Sequence, residues 1–426
     1  MTEKELITFG DLGISDDLLR ILNAKNLINP TPIQEQCISL GMEGKDIVGI
    51  AQTGTGKTLA FGLPIIEQIL KGEGQAIIML PTRELAIQVE EVLYELGKRF
   101  KLRTALLIGG VSSRPQKQAL KENPDIIVAT PGRLIDHIHQ GYCRLHNTNI
   151  VVLDEADRML DIGFMPQIRE ILQSIPEQRQ TMLFSATMPK EIAQLSTQYM
   201  KDPVRIEVSP AGTSAQNIEQ AAYIVRSEKK NELLSKTIFE HKGSILVFTR
   251  TKYKAKSTAA YLKRCNISAI EMHSNRSLAQ RKEALAGFKS GRYRVLVATD
   301  VAARGLDVDD ISLVINFNLP DVPDDYVHRI GRTGRAGKEG KAIAFIEPNE
   351  SSKLRIIERL IKKELTIIEG SQAFSTSSDR RPKKSSSRPQ WKKKNSSSND
   401  GRMTYDKFKQ QSREGQGQRR RSRSRA

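Results

Sequence analysis

Three strings in this 426-residue chain hold residues of the types and spacing that phosphate chemistry needs. The first, Ala51-Gln52-Thr53-Gly54-Thr55-Gly56-Lys57-Thr58, follows an apolar run and opens a segment of helical spacing. Small residues there let backbone N–H groups approach a phosphate, and a helix start favours negative charge. Lys57 is placed to reach the β/γ-phosphates of a nucleotide and Thr58 to help hold Mg²⁺, with Ala51 standing where the generic pattern has Gly. The second string, Asp154-Glu155-Ala156-Asp157, comes directly after the apolar run 150–153. One carboxylate there can meet a metal across from the phosphate loop, and its neighbour can orient or deprotonate water. An acidic helix start would explain this string in isolation; its pairing with Lys57 argues for the chemical roles. The third is His328-Arg329-Ile330-Gly331-Arg332-Thr333-Gly334-Arg335. Two arginines three apart, with glycines between, can reach forward as a fork toward a transferring phosphate.

Such residues need strand ends to stand on. Short apolar runs at 46–51, 76–80, 125–129, 150–153 and 181–184 alternate with helical patterns such as 84–98. Runs apolar on both faces predict buried parallel strands, and the alternation predicts a doubly wound α/β sheet. A second series follows at 244–248, 268–272, 294–298, 313–316 and 342–346. The two echo each other: strands end in Thr-Arg at Thr82 and Thr249, and in Ala-Thr at Thr130 and Thr299. The intervals, 48 and 50 residues, also match. Two similar domains are expected, 1–208 and 218–370, joined by the polar linker 209–217.

Together these strings resemble the DEAD-box family of ATP-dependent RNA helicases, over about residues 9–364 and with the motifs in family order. The resemblance implies two RecA-like domains in tandem, RNA-stimulated hydrolysis of ATP with Mg²⁺, and local opening of short duplexes or remodelling of RNA–protein complexes. Pro30-Thr31-Pro32-Ile33-Gln34 with upstream Phe9 is similar to the family's Q motif, here residues 7–35. It implies that Gln34 hydrogen-bonds the adenine edge and Phe9 stacks on the ring. Lys57, Thr58 and Asp154 are then the expected MgATP ligands and Glu155 the base. Arg332 and Arg335 become fingers supplied across the cleft, and Asp307 is the implied ribose contact. Ser185-Ala186-Thr187 is similar to the motif that couples hydrolysis to strand separation, with Ser185 expected to pair with Asp157 and His328 in the same coupling set. Closure must assemble the site, so ATP and RNA would both favour the closed state.

Strand ends also offer RNA contacts: Pro81, Arg83, Gly110, Thr130 and Arg133 in the first half, Arg250 and Thr299 in the second. Hydroxyls, backbone amides and arginines suit sugar–phosphate contact, which carries no sequence information. One stretch departs from the family pattern. His273 is followed by Ser274, the usual Gln position holds Leu278, Arg281 remains, and Gln280 is the candidate substitute. HSNRS and IIERLIKKEL point to the bacterial RhlE-like branch. Two rivals stay in view: an ATP-gated RNA clamp, disfavoured because Glu155 and the arginines are present, and a DNA translocase, disfavoured by the Q motif beside DEAD. His137 and His139, two apart on a helix, share no face and are not expected to ligate metal.

Composition narrows the class. Hydrophobic residues make up 38% and charged residues 27%, with 67 Lys and Arg against 49 Asp and Glu. Residues 371–426 carry 17 basic and 4 acidic side chains, +13 of the net +18, in Ser-rich low-complexity sequence expected to be a disordered RNA-binding arm. Cys37, Cys143 and Cys265 are scattered without a CxxC, which disfavours a disulfide framework or a zinc site. With no apolar leader or membrane-length run, the bacterial cytoplasm is the expected location. RNA is the expected partner, with ribosome-assembly or RNA-degradation proteins as candidates and no membrane. Truncation after Gly370 should weaken RNA binding most at low salt and leave the maximal ATPase rate intact. Salt titrations of both chains check this: each lost phosphate contact flattens the log K against log[salt] slope by about 0.7.

Overall fold

A computed structural model describes residues 7–52, 54–72, 74–208, 218–303, 311–334 and 340–368. Thr53, Asp307, Arg335, the linker 209–217 and the tail 371–426 lie outside the described residues.

The apolar runs become parallel strands. In the first sheet these are β1 (Ile47–Ile50), β2 (Gln75–Met79), β3 (Thr104–Leu107), β4 (Ile126–Ala129), β5 (Thr148–Asp154), β6 (Gln180–Ser185) and β7 (Val204–Glu207). The second sheet contains β8 (Ile218–Ile224), β9 (Ile245–Phe248), β10 (Ala269–Met272), β11 (Val295–Ala298), β12 (Leu313–Asn316), β13 (Gly340–Ile346) and β14 (Thr366–Ile367). The spatial orders are β3-β4-β2-β5-β6-β1-β7 and β10-β11-β9-β12-β13-β8-β14. Numbered within each lobe, the two orders are identical, so the echo between the halves is an architectural repeat. Thr82 and Thr249 follow equivalent strands, as do Thr130 and Thr299.

Each sheet is packed on both faces. Ile78, Val128, Val152 and Met182 belong to one cluster of the first lobe, while Ile77, Met79, Val151 and Leu183 belong to the other. Alternate residues of one strand therefore enter opposite cores, which is why these strands read as unbroken apolar runs. The edge strands do not read that way: β3 alternates between part-buried and buried residues, and both residues of β14 are exposed. The Phe184 ring lies 5.5 Å from that of Phe61, and a Cβ at Gly49 would stand 2.6 Å from it. Glycine on β1 is thus what lets the ring seat against the strand. Phe184→Ala should cost about 3–5 kcal/mol of stability, read as a lower denaturant midpoint for the first lobe.

Candidate active site

Strand order sorts the chemistry along the carboxyl edge of the first sheet. The phosphate-loop residues follow β1, the acidic string ends β5 and SAT ends β6, and these three strands are adjacent. The RNA candidates follow β2, β3 and β4, the other contiguous half.

Gly56 caps the helix Lys57–Leu70 in the left-handed region at φ 86°, and Gly54 has φ 88°. A Cβ on Gly56 would lie 2.3 Å from Gln34 Nε2, so only glycine fits under that amide. Gln34 Nε2 donates to the Gly56 carbonyl at 2.9 Å, and its Oε1 accepts from Thr31 N at 2.8 Å. Thr31 Oγ1 donates to the Thr55 carbonyl at 2.7 Å, and Thr55 Oγ1 to the Gln52 carbonyl at 2.8 Å. The Q-motif glutamine thus grips the phosphate loop itself, a link that sequence reasoning missed. Phe9 is 2% exposed within the first lobe's core, so stacking would require its ring to be uncovered. Lys57 Nζ donates to the Ala51 carbonyl at 2.8 Å inside the loop.

Three carboxylates crowd the end of β5. Asp154 is 3% exposed and accepts from Glu155 N at 2.9 Å. Burial pushes its carboxyl up to about 6, against the opposing pull of Lys57. Glu155 sits in the left-handed region at φ 55° and ψ 50°, costly for a residue with a Cβ. Its Oε2 accepts from Arg158 Nη1 at 2.6 Å, with both side chains buried. Asp157 Oδ2 accepts from Thr187 N at 2.9 Å, Thr187 Oγ1 at 3.0 Å and Ala186 N at 3.2 Å. The expected Ser185 pairing runs through the main chain: Asp157 N donates to Ser185 Oγ at 3.2 Å. Burial works to raise the Asp157 carboxyl, but His328, Arg158 and Lys57 together with the Thr187 amide hold it below its ordinary value.

In the second lobe Arg332 is 2% exposed, and its Nε donates to the His328 carbonyl at 3.3 Å. It lines a small cavity with Arg158, Phe248, Asp300, Ala303, Asp325, His328 and Arg329. Arg329, unassigned by sequence, is an internal strut. Its Nε and Nη2 donate to the Asp300 carboxylate at 2.5 and 2.7 Å, and Nη1 donates to Asn316 Oδ1 and the Asn318 carbonyl. Among the described residues no three His, Cys, Asp or Glu gather as a metal cluster. His137 meets Gln116 and His139 meets Glu170.

Family models for the DEAD/DEAH box helicase match residues 31–195 and for the helicase conserved C-terminal domain residues 228–337. The DEAD-box ATP-dependent RNA helicase CshA of Bacillus subtilis is 46% identical over 362 residues, covering 84% of this chain and 73% of the relative. This chain belongs to the DEAD-box RNA helicase family. Its sheets are the tandem RecA-like domains of that family. The curated relatives carry the CshA name, so the RhlE-like branch gains no support. S. cerevisiae Dbp5 bound to RNA and ADP BeF3 matches with TM-score 0.77 at 31% identity, over 85% of this chain and 95% of that one. A DEAD box protein from Methanococcus jannaschii, 41% identical, reaches 0.51 over 85% of this chain and 99% of its own.

Among the RNA candidates, the Arg83 guanidinium lies over Gly110, where a Cβ would overlap it, and Arg133 donates to the Val111 carbonyl. Thr130 caps the helix Pro131–His139, and Pro81 precedes the helix cap Thr82. Arg250 of the second lobe is held by Glu350 at 3.1 Å and Asp321 at 3.6 Å, and Thr299 N donates to the Met272 carbonyl. Between the lobes, Arg281 Nη2 donates to Glu84 Oε2 at 2.8 Å, both side chains buried. Leu278, the departure from the family's Gln, packs against the first lobe's core cluster. Gln280 instead caps its own helix with Ser277. Arg281→Ala strands the Glu84 carboxylate; breaking such a pair costs about 3–5 kcal/mol. The lobes should separate in this variant, read as a larger radius of gyration by small-angle scattering.

Proposed function

We propose that this DEAD-box protein is an RNA-stimulated ATPase that opens short RNA duplexes and remodels RNA–protein complexes by closing two lobes, 1–208 and 218–370, about the linker 209–217. The observation that carries the reading is geometric: Asp157 is bonded to the SAT segment after β6, and its neighbour Arg158 lines one cavity with His328 and Arg332 of the other lobe. In this reading the end of β5 is where a shift of the second lobe is felt by the nucleotide half.

The residues present fit MgATP. The left-handed glycines leave the loop open to phosphates, and Lys57 exchanges its loop carbonyl for phosphate oxygens. Asp154, destabilised as an anion by burial, gains from a cation beside it. Thr58 and Asp154 would hold Mg²⁺, which would supply neutralisation of charge on the phosphates. Gln34 and Phe9 serve the adenine and Asp307 the ribose, Glu155 takes the proton of the attacking water, and Arg332 and Arg335 stabilise the transferring phosphate. RNA lies along Pro81, Arg83, Gly110, Thr130 and Arg133, continuing to Arg250 and Thr299. No helix among the described residues is long and apolar enough to cross a membrane. The bacterial cytoplasm is the proposed location, and ribosome-assembly or RNA-degradation proteins are the proposed protein partners.

Comparing ATPase stimulation by RNA and by DNA of matched length tests the substrate class, and equal stimulation would overturn it. Glu155→Gln removes proton acceptance while keeping shape, so turnover should fall by roughly 10²–10⁴-fold with ATP and RNA binding retained. Single-turnover hydrolysis checks this.

A further inference from the structure

Two costly features converge on the Glu155 side chain. The first is its left-handed backbone, which a β-carbon makes unfavourable. The second is its partner, for Arg158 is 2% exposed and donates from Nη1 to Glu155 Oε2 at 2.6 Å. A guanidinium has five donors to satisfy, yet Arg158 Nη2 is buried with no hydrogen-bond partner among the described residues. Removing a charge from water for so few bonds is poorly repaid as stability. The pair is local, three residues apart across one turn of the short helix Ala156–Ile162, and ties down no distant element. What it does accomplish is geometric: a flexible carboxylate is restricted to one orientation.

Arg158 also lines the small cavity that holds His328 and Arg332 of the second lobe. It therefore stands between the proposed base and the proposed finger.

We propose that Arg158 is the positioning residue for Glu155. It holds Oε2 so that Oε1 faces the attacking water. In this role Arg158 acts through Glu155, so the inference rests on the reading of Glu155 as base; its charge also lowers the neighbouring Asp157, an effect that Arg158→Lys retains. Misplacing a catalytic group by about an ångström costs on the order of 10²-fold.

The test uses the full chain at saturating RNA. Arg158→Gln should lower kcat about 10²-fold, leaving the ATP KM and the RNA concentration for half-maximal activity within about twofold of the parent. Arg158→Lys, which keeps the charge, should recover part of the loss. In single-turnover hydrolysis, adding Arg158→Gln to Glu155→Gln should cost nothing further, because the two residues act as one unit. Unchanged kcat in Arg158→Gln, with Glu155→Gln inactive, would overturn the proposal. So would an equal loss from Arg158→Gln in both backgrounds, or a loss borne by KM. Near-normal turnover in Glu155→Gln would instead overturn the base assignment. Should Arg158→Gln unfold on heating well before the parent, the kcat-against-KM split in Arg158→Lys decides.

Discussion

A strand buried on both faces of a parallel sheet has nowhere to keep a polar side chain except its ends. β5 is paired on one side with β2 and on the other with β6, and all but one of its residues are buried. Its first carboxylate is therefore Asp154, its last residue, and the two carboxylates after it follow at once. The same constraint acts on the other central strands, so their polar side chains gather at the strand ends. Strand order then separates the candidate nucleotide residues from the candidate RNA residues along the carboxyl edge. Function in this fold is a consequence of where apolar strands must stop.

Crowding carboxylates at one strand end creates a problem that each solves differently. Asp154 gives up part of its acidity to burial. Asp157 keeps its charge by accepting three donors from Ala186 and Thr187. Glu155 is clasped by Arg158. Three like groups within four residues thus acquire three environments, the condition under which one acidic string can divide distinct chemical roles.

Much of this was legible in the residues. All ten apolar runs are strands, and the Thr-Arg and Ala-Thr endings mark equivalent positions in two sheets of one order. The edge strands β3, β7 and β14 escaped because an edge is half-wet, and β8 because its residues mix Glu and Gln with alanines. Long-range pairs such as Glu84 with Arg281 leave no local trace; the grip of Gln34 on Gly56 spans 22 residues and is equally silent. Arg158 did leave one, an opposite charge three residues beyond Glu155, at the spacing where helical side chains meet. Arg329 was hidden by its neighbours, since a string with three arginines does not say which one turns inward to Asp300.

Leu278 brings a thermal property to the meeting of the lobes. An amide at that position would exchange hydrogen bonds with water for hydrogen bonds with protein, with little heat-capacity change. A leucine against the first lobe's core sheds ordered water as the lobes meet, so closure acquires a negative heat-capacity change. Apolar association of this kind weakens on cooling, whereas the neighbouring Glu84–Arg281 pair does not share that dependence. The clasp between the lobes is accordingly graded by temperature, firmest in the warm part of its range and looser in the cold.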